Sequence, residues 1–151
     1  MIVLVDTNIL LRVFDRASPS YDAVRGAIRK LRAEGWTMRA GSQNFIEFWN
    51  VATRPRRDNG LGMDTAQAER LLRRLERAFP ALPDTAAIYE EWRRIVVAFK
   101  VSGVKAHDAR LVGAMRVYGI SRILTLNPSD FARYSALGII AADPQTVVPT
   151  A

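Results

Sequence analysis

The feature that most constrains the fold is a short, unbroken apolar run near the start of the chain, at residues 2–5. Four apolar residues without alternation are typical of a strand that is buried on both faces of a parallel sheet. Parallel strands are joined by crossovers that are usually helical, so the rest of the chain should alternate strands with helices. Such sheets bind ligands beyond the carboxyl ends of their strands, and that edge is where we expect the chemistry.

Apolar spacing and turn residues extend this alternation along the chain. Helical spacing with start and stop residues predicts helices at 20–33, 42–53, from Asp64 through Leu75, at 85–100, at 107–118 and at 128–134. Strands are predicted at 36–40, 120–126 and 139–141, a loop at 55–62, and a short apolar link between Pro80 and Pro83. Since no repeat or linker interrupts the pattern, we expect one α/β domain over residues 1–151 around a central parallel sheet.

Composition narrows the class of protein. The chain has no cysteine, so neither disulfides nor a thiolate metal site belongs to the design. Its apolar fraction of 49% and charged fraction of 25% are those of an ordinary globular protein. The N-terminal apolar stretch has no basic leader and is interrupted at once by Asp6, which predicts neither a signal peptide nor a membrane span. These features fit a cytoplasmic protein.

The charge balance favours an acidic partner. A net charge of +7 and an isoelectric point near 10.5 make nucleic acid the first class to consider. Most of the excess is arginine, which suits planar phosphate contacts, and it occurs in groups. We predict that one group, Arg54, Arg56 and Arg57, binds substrate phosphates. Solvated helix faces remain the alternative for any single group.

Two acidic residues stand out in the first third of the chain. Asp6 follows the apolar run directly, so it lies at the carboxyl end of the first strand, although an N-cap for the next helix explains it equally well. Glu47 shares a narrow polar stripe with Asn50 on a helix that is otherwise apolar, which predicts a mostly buried helix whose carboxylate needs a partner or a metal. The alternative is that this stripe meets solvent.

Two more acidic residues occur near predicted helix starts further along. Asp108 falls in line with the inward stripe of its helix, where a cap is the alternative. Asp130 falls in the first turn after Asn127, which resembles an N-cap, and after a predicted strand. His107 is the only histidine, and we assign it no chemical role.

Taken together, these residues predict a metal site. Oxygen ligands without cysteine or a histidine cluster suit Mg²⁺ or Mn²⁺. Such ions activate water and neutralise a phosphodiester that undergoes in-line attack. Because an acidic cluster by itself repels nucleic acid, the surrounding arginines are physically consistent with this prediction. The ligands would be Asp6, Glu47, Asp108 and Asp130.

Four sequence blocks resemble the PIN-domain ribonucleases, and among them the VapC toxins of bacterial toxin–antitoxin pairs. In chain order the blocks are VDTNILL, IEFWNVATRP, HDARLVGAM and ILTLNPSDF. Their order and spacing are similar from Asp6 to Asp130, which is nearly the whole chain. The first block alone is weak evidence, whereas all four in this order are fairly specific.

The resemblance implies a three-layer fold with a central parallel sheet, a helical arm around Leu71 and Leu75, and cleavage of RNA that depends on Mg²⁺ or Mn²⁺. It carries over Asp6, Glu47 and Asp108 as the core acidic residues. It further implies that Thr7 and Asn8 orient Asp6 by hydrogen bonds, that the protein is a homodimer, and that a small antitoxin covers the acidic cleft.

The chain departs from the family at the fourth acidic position. Many members have Asp where this sequence has Asn127, while others have Asn there and an Asp-Phe pair shortly after. We therefore assign the fourth carboxylate to Asp130 and treat Asn127 as a polar helper.

Three other readings compete with this one. A haloacid dehalogenase-type phosphatase needs a second Asp two residues after the first, where this chain has Asn8, and a dinucleotide-binding domain needs a glycine-rich turn there. The serious rival is a PIN-like module that binds RNA or a protein partner without cutting. Loss of a ligating carboxylate would be its signature.

Overall fold

The computed structural model describes residues 1–147, and a five-stranded parallel sheet lies at its centre. The strands are β1 (Ile2–Val5), β2 (Thr37–Gly41), β3 (Ala81–Leu82), β4 (Arg122–Leu124) and β5 (Ile140–Ala142). Helices connect them: α1 (Thr7–Arg12), α2 (Tyr21–Ala33), α3 (Ser42–Thr53), α4 (Thr65–Ala78), α5 (Ala86–Ala98), α6 (Lys105–Val117) and α7 (Pro144–Val147). Two 3₁₀ segments, Arg56–Asp58 and Pro128–Leu137, complete the described chain.

The order of the strands creates a crevice at the centre of the sheet. That order is β3-β2-β1-β4-β5, with every neighbouring pair parallel. The chain therefore adds strands on one side of β1 and later returns to its other side to form β4. At such a reversal, the connections from the two central strands leave in opposite directions and open a crevice beyond their carboxyl ends.

Each face of the sheet packs against its own helical layer. Val3 and Val5 of β1 face a core formed with α1, α2, α3 and α4, whereas Leu4 faces a second core formed with α5, α6 and the long 3₁₀ segment. Because side chains alternate across a strand, a continuous apolar run supplies both cores. The predicted three-layer α/β architecture is confirmed.

Close packing sets the position of α6 against α5. Gly113 in α6 is buried, and a Cβ atom there would lie 3.2 Å from the backbone nitrogen of Trp92 in α5. The indole of Trp92 also donates a hydrogen bond of 2.8 Å to the carbonyl of Ala106 at the start of α6. These contacts fix the N-terminal end of α6, which carries Asp108.

Several predicted boundaries were wrong. The link between Pro80 and Pro83 contains β3, which pairs with β2 although only two residues long. The strand expected at 120–126 covers only Arg122–Leu124, and α6 begins at Lys105 rather than His107. α7 was not predicted. No helix within residues 1–147 combines the length and apolarity needed to cross a membrane.

The prediction that α3 is mostly buried is confirmed, but one of its apolar residues lies outside the core. Ile46, which the helical spacing places on the apolar side, is 69% exposed. Ser42 is the first residue of the helix, and Gly41 is its N-cap. The Ser42 hydroxyl instead donates a hydrogen bond of 2.5 Å to Asp84. A helical wheel cannot distinguish which apolar residues meet a neighbour, because that depends on where the adjacent helices lie.

Candidate active site

The central crevice brings together polar residues from both sides of the strand reversal. Asp6 follows β1 directly and Thr125 follows β4 directly, and both are buried. The Thr125 hydroxyl donates a hydrogen bond of 2.8 Å to Oδ2 of Asp6. Two residues 119 positions apart in sequence thus meet at the carboxyl edge of the sheet.

Asp6 is a helix cap and a site carboxylate at once. It is the N-cap of α1, and its Oδ1 accepts a hydrogen bond of 2.8 Å from the backbone N–H of Thr7. Only 8% of Asp6 is exposed, and burial raises its pKa, with the neighbouring charges of Glu47 and Asp130 adding to the effect. The cap therefore does not replace the functional interpretation, because capping leaves a buried charge unneutralised.

The predicted orienting residues act differently from one another. Thr7 orients Asp6 through its backbone N–H, while the Thr7 hydroxyl donates a hydrogen bond of 2.6 Å to Oε2 of Glu47. The Asn8 amide lies 3.4 Å from Oδ2 of Asp6, and its carbonyl oxygen accepts a hydrogen bond from the backbone of Leu126. Asn8 thus ties the start of α1 to the segment after β4.

Glu47 is held from two sides. Thr7 donates a hydrogen bond to one carboxylate oxygen of Glu47. Gln43, one helical turn earlier in α3, donates a hydrogen bond of 2.9 Å to the other oxygen. The same Gln43 amide donates a hydrogen bond of 2.7 Å to the backbone carbonyl of His107 in α6. Gln43 therefore joins the helix that carries Glu47 to the helix that carries Asp108.

Asp108 lies in the first turn of α6 and faces the other carboxylates. Burial, followed by the negative charges of Asp6 and Asp130, raises its pKa from 3.8 to about 6. The charge of Glu47 adds to this rise, while the cation Lys105 opposes it. The other three predicted carboxylates are thus close enough to affect Asp108.

Asp130 and Asn127 differ in their relation to this cluster. Asp130 lies in the first turn of the long 3₁₀ segment, and the Lys105 ammonium donates a hydrogen bond of 2.6 Å to its Oδ1. This hydrogen bond raises the pKa of Lys105. Asn127 is exposed, and its backbone N–H donates to Thr125. Only Asp130 of these two contributes charge to the site.

These residues suit a hard divalent cation. Within residues 1–147, no three acidic or histidine side chains are gathered tightly enough to hold a single ion as they stand. Mg²⁺, however, is usually held by one or two carboxylates and completes its shell with water and substrate oxygens. A buried Asp6 beside a half-buried Asp108 with a raised pKa provides such a pair, and Glu47 and Asp130 are further oxygen donors.

The predicted arginine group lies apart from the carboxylates. Arg54 is the C-cap of α3 and lies seven residues after Glu47, which corresponds to roughly 10 Å along a helix axis. Arg56 borders a different cavity, formed with Leu11 and Phe14, and the Arg57 side chain is 85% exposed. The hydrogen bonds of the site include none of the three, so their contact with substrate stays a prediction.

Sequence reasoning missed the residues that position the carboxylates. Gln43 carries a usable signal, because it precedes Glu47 by one helical turn and falls on the same face. Lys105 precedes Asp108 by three residues on the same helix, which is also a signal. Thr125 carries none, because its partner is distant in sequence and is defined only by strand order.

Asp108→Asn is expected to stabilise the metal-free protein at pH 8. The folded-state pKa of Asp108, about 6, lies above its ordinary value of 3.8. The contribution of Asp108 to the free energy of unfolding is therefore fully present below pH 4 and is lost as pH rises through 6. Asparagine removes that loss. Because Asp108 is only half-buried, we expect about 1–2 kcal/mol rather than the full ~3 kcal/mol of the shift.

Urea unfolding with a chelator at pH 4.5 and pH 8 measures this difference. Asp22→Asn, at an exposed carboxylate on α2, is the matched control, and its difference in stability from the parent should be small and equal at both pH values. A change in stability of Asp108→Asn that is equal at both pH values would contradict the raised pKa of Asp108.

Family comparison agrees with this geometry. Residues 3–137 match the model of the PIN domain. Comparison with curated proteins gave no match.

Solved structures share the fold. The chain superimposes on VapBC-1 from nontypeable Haemophilus influenzae with a TM-score of 0.70 and 14% identity, covering 95% of this chain and 98% of that one. On VapBC2 from Rickettsia felis, bound to a DNA fragment from its promoter, the chain superimposes with a TM-score of 0.66 and 14% identity, covering 95% of this chain and 98% of that one. For a toxin–antitoxin complex from Klebsiella pneumoniae the TM-score is 0.61 and the identity 18%, covering 91% of this chain and 95% of that one. Identities this low establish the fold alone.

Proposed function

Because the chain belongs to the PIN domain family, a family of nucleases, we propose that it is an endoribonuclease dependent on Mg²⁺ or Mn²⁺. Membership confirms the resemblance seen in the four sequence blocks. The dependence on metal and the choice of RNA are the parts of the proposal that need experiment.

One observation carries the proposal. Asp6, Glu47, Asp108 and Asp130 lie together at the carboxyl edge of the sheet. Burial, followed by the charges of the other three carboxylates, raises the pKa of Asp108 to about 6. A fold gains no stability from such repulsion, so its presence favours a functional explanation. The non-cleaving module is disfavoured because Asp6, Glu47 and Asp108 are all present.

The chain's own residues would bind the metal and keep its ligands oriented. Asp6 and Asp108 are the proposed metal ligands, with Glu47 and Asp130 completing the set. When bound, the metal would lower the pKa of water and offset charge on the phosphodiester. Water then attacks phosphorus, and the bond to the leaving ribose oxygen breaks. Thr125, Thr7 and Gln43 keep the carboxylates oriented through their hydrogen bonds.

Asp130 is our choice for the fourth carboxylate. Its charge reaches both Asp6 and Asp108, while Asn127 is exposed and has no such effect. Asn127 remains a proposed polar helper. Lys105 adjoins Asp130 and is a positive charge at the edge of the cluster. It limits the repulsion that the site exerts on a phosphate.

We further propose that the protein is the toxin of a toxin–antitoxin pair that acts in the cytoplasm as a homodimer. The support is that the three structures above, at high coverage, are described as VapBC or toxin–antitoxin complexes. A small antitoxin covering the acidic crevice would be the partner. A short neighbouring gene for a DNA-binding protein, whose product co-purifies with this chain, is the expected observation.

The direct test is cleavage of matched oligonucleotides. The purified protein, with Mg²⁺ or Mn²⁺, should cut a single-stranded oligoribonucleotide at discrete positions and leave the deoxyribonucleotide of the same sequence largely intact. A panel of unrelated RNAs guards against a narrow sequence preference. If every RNA remains whole while circular dichroism shows a folded protein, the non-cleaving module becomes the better reading.

Gln43→Leu is expected to lower kcat about 10- to 100-fold, since residues that orient metal ligands have effects of that size. The substitution leaves a somewhat shorter, apolar side chain and removes the hydrogen bonds to Glu47 and to the His107 carbonyl. Gln145→Leu, at an exposed position, is the control. Mn²⁺ affinity measured by calorimetry should fall for Gln43→Leu alone, and an unchanged affinity and kcat would contradict the positioning role.

A further inference from the structure

Two cavities beside the active site share Arg110 as a common wall. The larger, about 630 Å³, begins at Glu47 and is also lined by Asn50, His107 and the exposed side chain of Ile46. Its volume lies within the range of ordinary small-molecule sites. Amide, imidazole and guanidinium groups therefore surround an open space that starts at a proposed metal ligand.

The smaller cavity, which Arg110 also lines, is aromatic. Tyr89 and Trp92 of α5 line it, with ring centroids 5.6 Å apart and planes inclined by 34°. Its volume is about 210 Å³. Tyr89 is 62% exposed, although a tyrosine ring loses free energy by remaining in water. An exposed ring next to a cavity is a surface on which another flat group can stack.

Arg110 is held in place between the two cavities. One guanidinium nitrogen lies 3.3 Å from Oε1 of Gln43, and another lies 3.2 Å from Asp84. The arginine that separates the cavities is therefore linked through Gln43 to Glu47. Its partners fix the guanidinium plane, and a fixed guanidinium plane is itself a stacking surface for a nucleobase.

Positive charge also accompanies the aromatic pair. Arg93 follows Tyr89 by four residues in α5, so it lies on the same helical face. Within residues 1–147, Arg93 has no carboxylate within 4 Å. It is therefore available for a phosphate near the Tyr89 ring.

We propose that these cavities form a path for single-stranded RNA that runs from the carboxylates past Arg110 to Tyr89. This inference rests on the proposed ribonuclease function and names the substrate class that its site takes. The nucleotide next to the cleaved phosphate enters the larger cavity, near Asn50 and His107. A nucleotide further along the strand stacks its base on Tyr89, and Arg93 contacts its phosphate.

The arrangement selects single strands over duplexes. Stacking on a side chain requires the flat face of a base, which a duplex hides between neighbouring base pairs. The combination of an exposed ring, a fixed guanidinium and an unpaired arginine suits bases joined by phosphates. Asn50, His107 and Arg110, which line the larger cavity, carry side chains that can hydrogen-bond a nucleotide.

Binding measured without cleavage tests the path. Asp6→Asn protein with Mg²⁺ is titrated into a fluorescein-labelled single-stranded oligoribonucleotide and, separately, into its duplex, and anisotropy is recorded. In that background, Tyr89→Ala should weaken single-strand binding about five- to a hundredfold, whereas Tyr89→Phe keeps the ring and should bind normally. Val97→Ala, at a 72% exposed position on the same helix, is the control.

Three outcomes would overturn the proposal. Equal single-strand affinity for Tyr89→Ala and Tyr89→Phe removes the stacking role. An equal loss for the duplex shows that the effect is not base stacking. A change from dimer to monomer in Tyr89→Ala, measured by light scattering, assigns the surface to a second copy of the chain. If single-strand binding depends on Tyr89 but the parent protein cuts no RNA, the path stands and the ribonuclease proposal fails.

Discussion

Replacing Asp6 with asparagine is expected to lower RNA cleavage about a thousandfold or more while leaving the fold intact. Asp6 contributes the most buried carboxylate of the site, and asparagine keeps its shape but removes the charge that a metal requires. The Oδ1 atom of asparagine can still accept the hydrogen bond from the Thr7 N–H that caps α1. Catalysis and folding are therefore separable at this position.

Thermal unfolding distinguishes the two effects. Burial raises the pKa of Asp6, so its charge costs stability at neutral pH, and Asp6→Asn should unfold at the same temperature as the parent or a higher one. Asp22→Asn is the matched control and should cleave normally. Full cleavage by Asp6→Asn would mean that the site does not work through its carboxylates.

Removal of divalent metal is expected to have the second-largest effect. With a chelator, cleavage should fall to background, because four carboxylates without a cation repel the phosphate that must approach them. Added Mg²⁺ or Mn²⁺ should restore cleavage of the same sample. Cleavage that persists in the chelator after exhaustive dialysis would contradict metal dependence.

A readout independent of activity comes from the same titration. Metal that binds only the folded protein raises its stability, by about 2.7 kcal/mol at a hundred times Kd. The rise should be large for the parent and for Asp22→Asn, and small for Asp6→Asn and Asp108→Asn. A rise of equal size in all four proteins would place the metal elsewhere.

Much of the site could be predicted because its signals are local. Asp6 follows a run whose length and apolarity identify a buried strand, so its place at the carboxyl end is a consequence of sequence order. Asp108 and Asp130 lie in first turns that helix-start patterns reveal. The failures share a cause too. β3 has only two residues and exists because β2 offers a partner, so no periodicity can reveal it.

The sequence by itself determined that an aspartate stands at the end of a buried parallel strand, in a basic α/β protein with three further acidic residues in characteristic positions. Tertiary structure alone decided what surrounds that aspartate. Thr125 meets Asp6 because β4 returns beside β1, and Gln43 joins Glu47 to α6 because two layers converge at one edge. The spacing of apolar residues along the chain shows which face of a strand or helix a residue lies on. Contacts between segments that are distant in sequence depend on the order of the strands in the sheet.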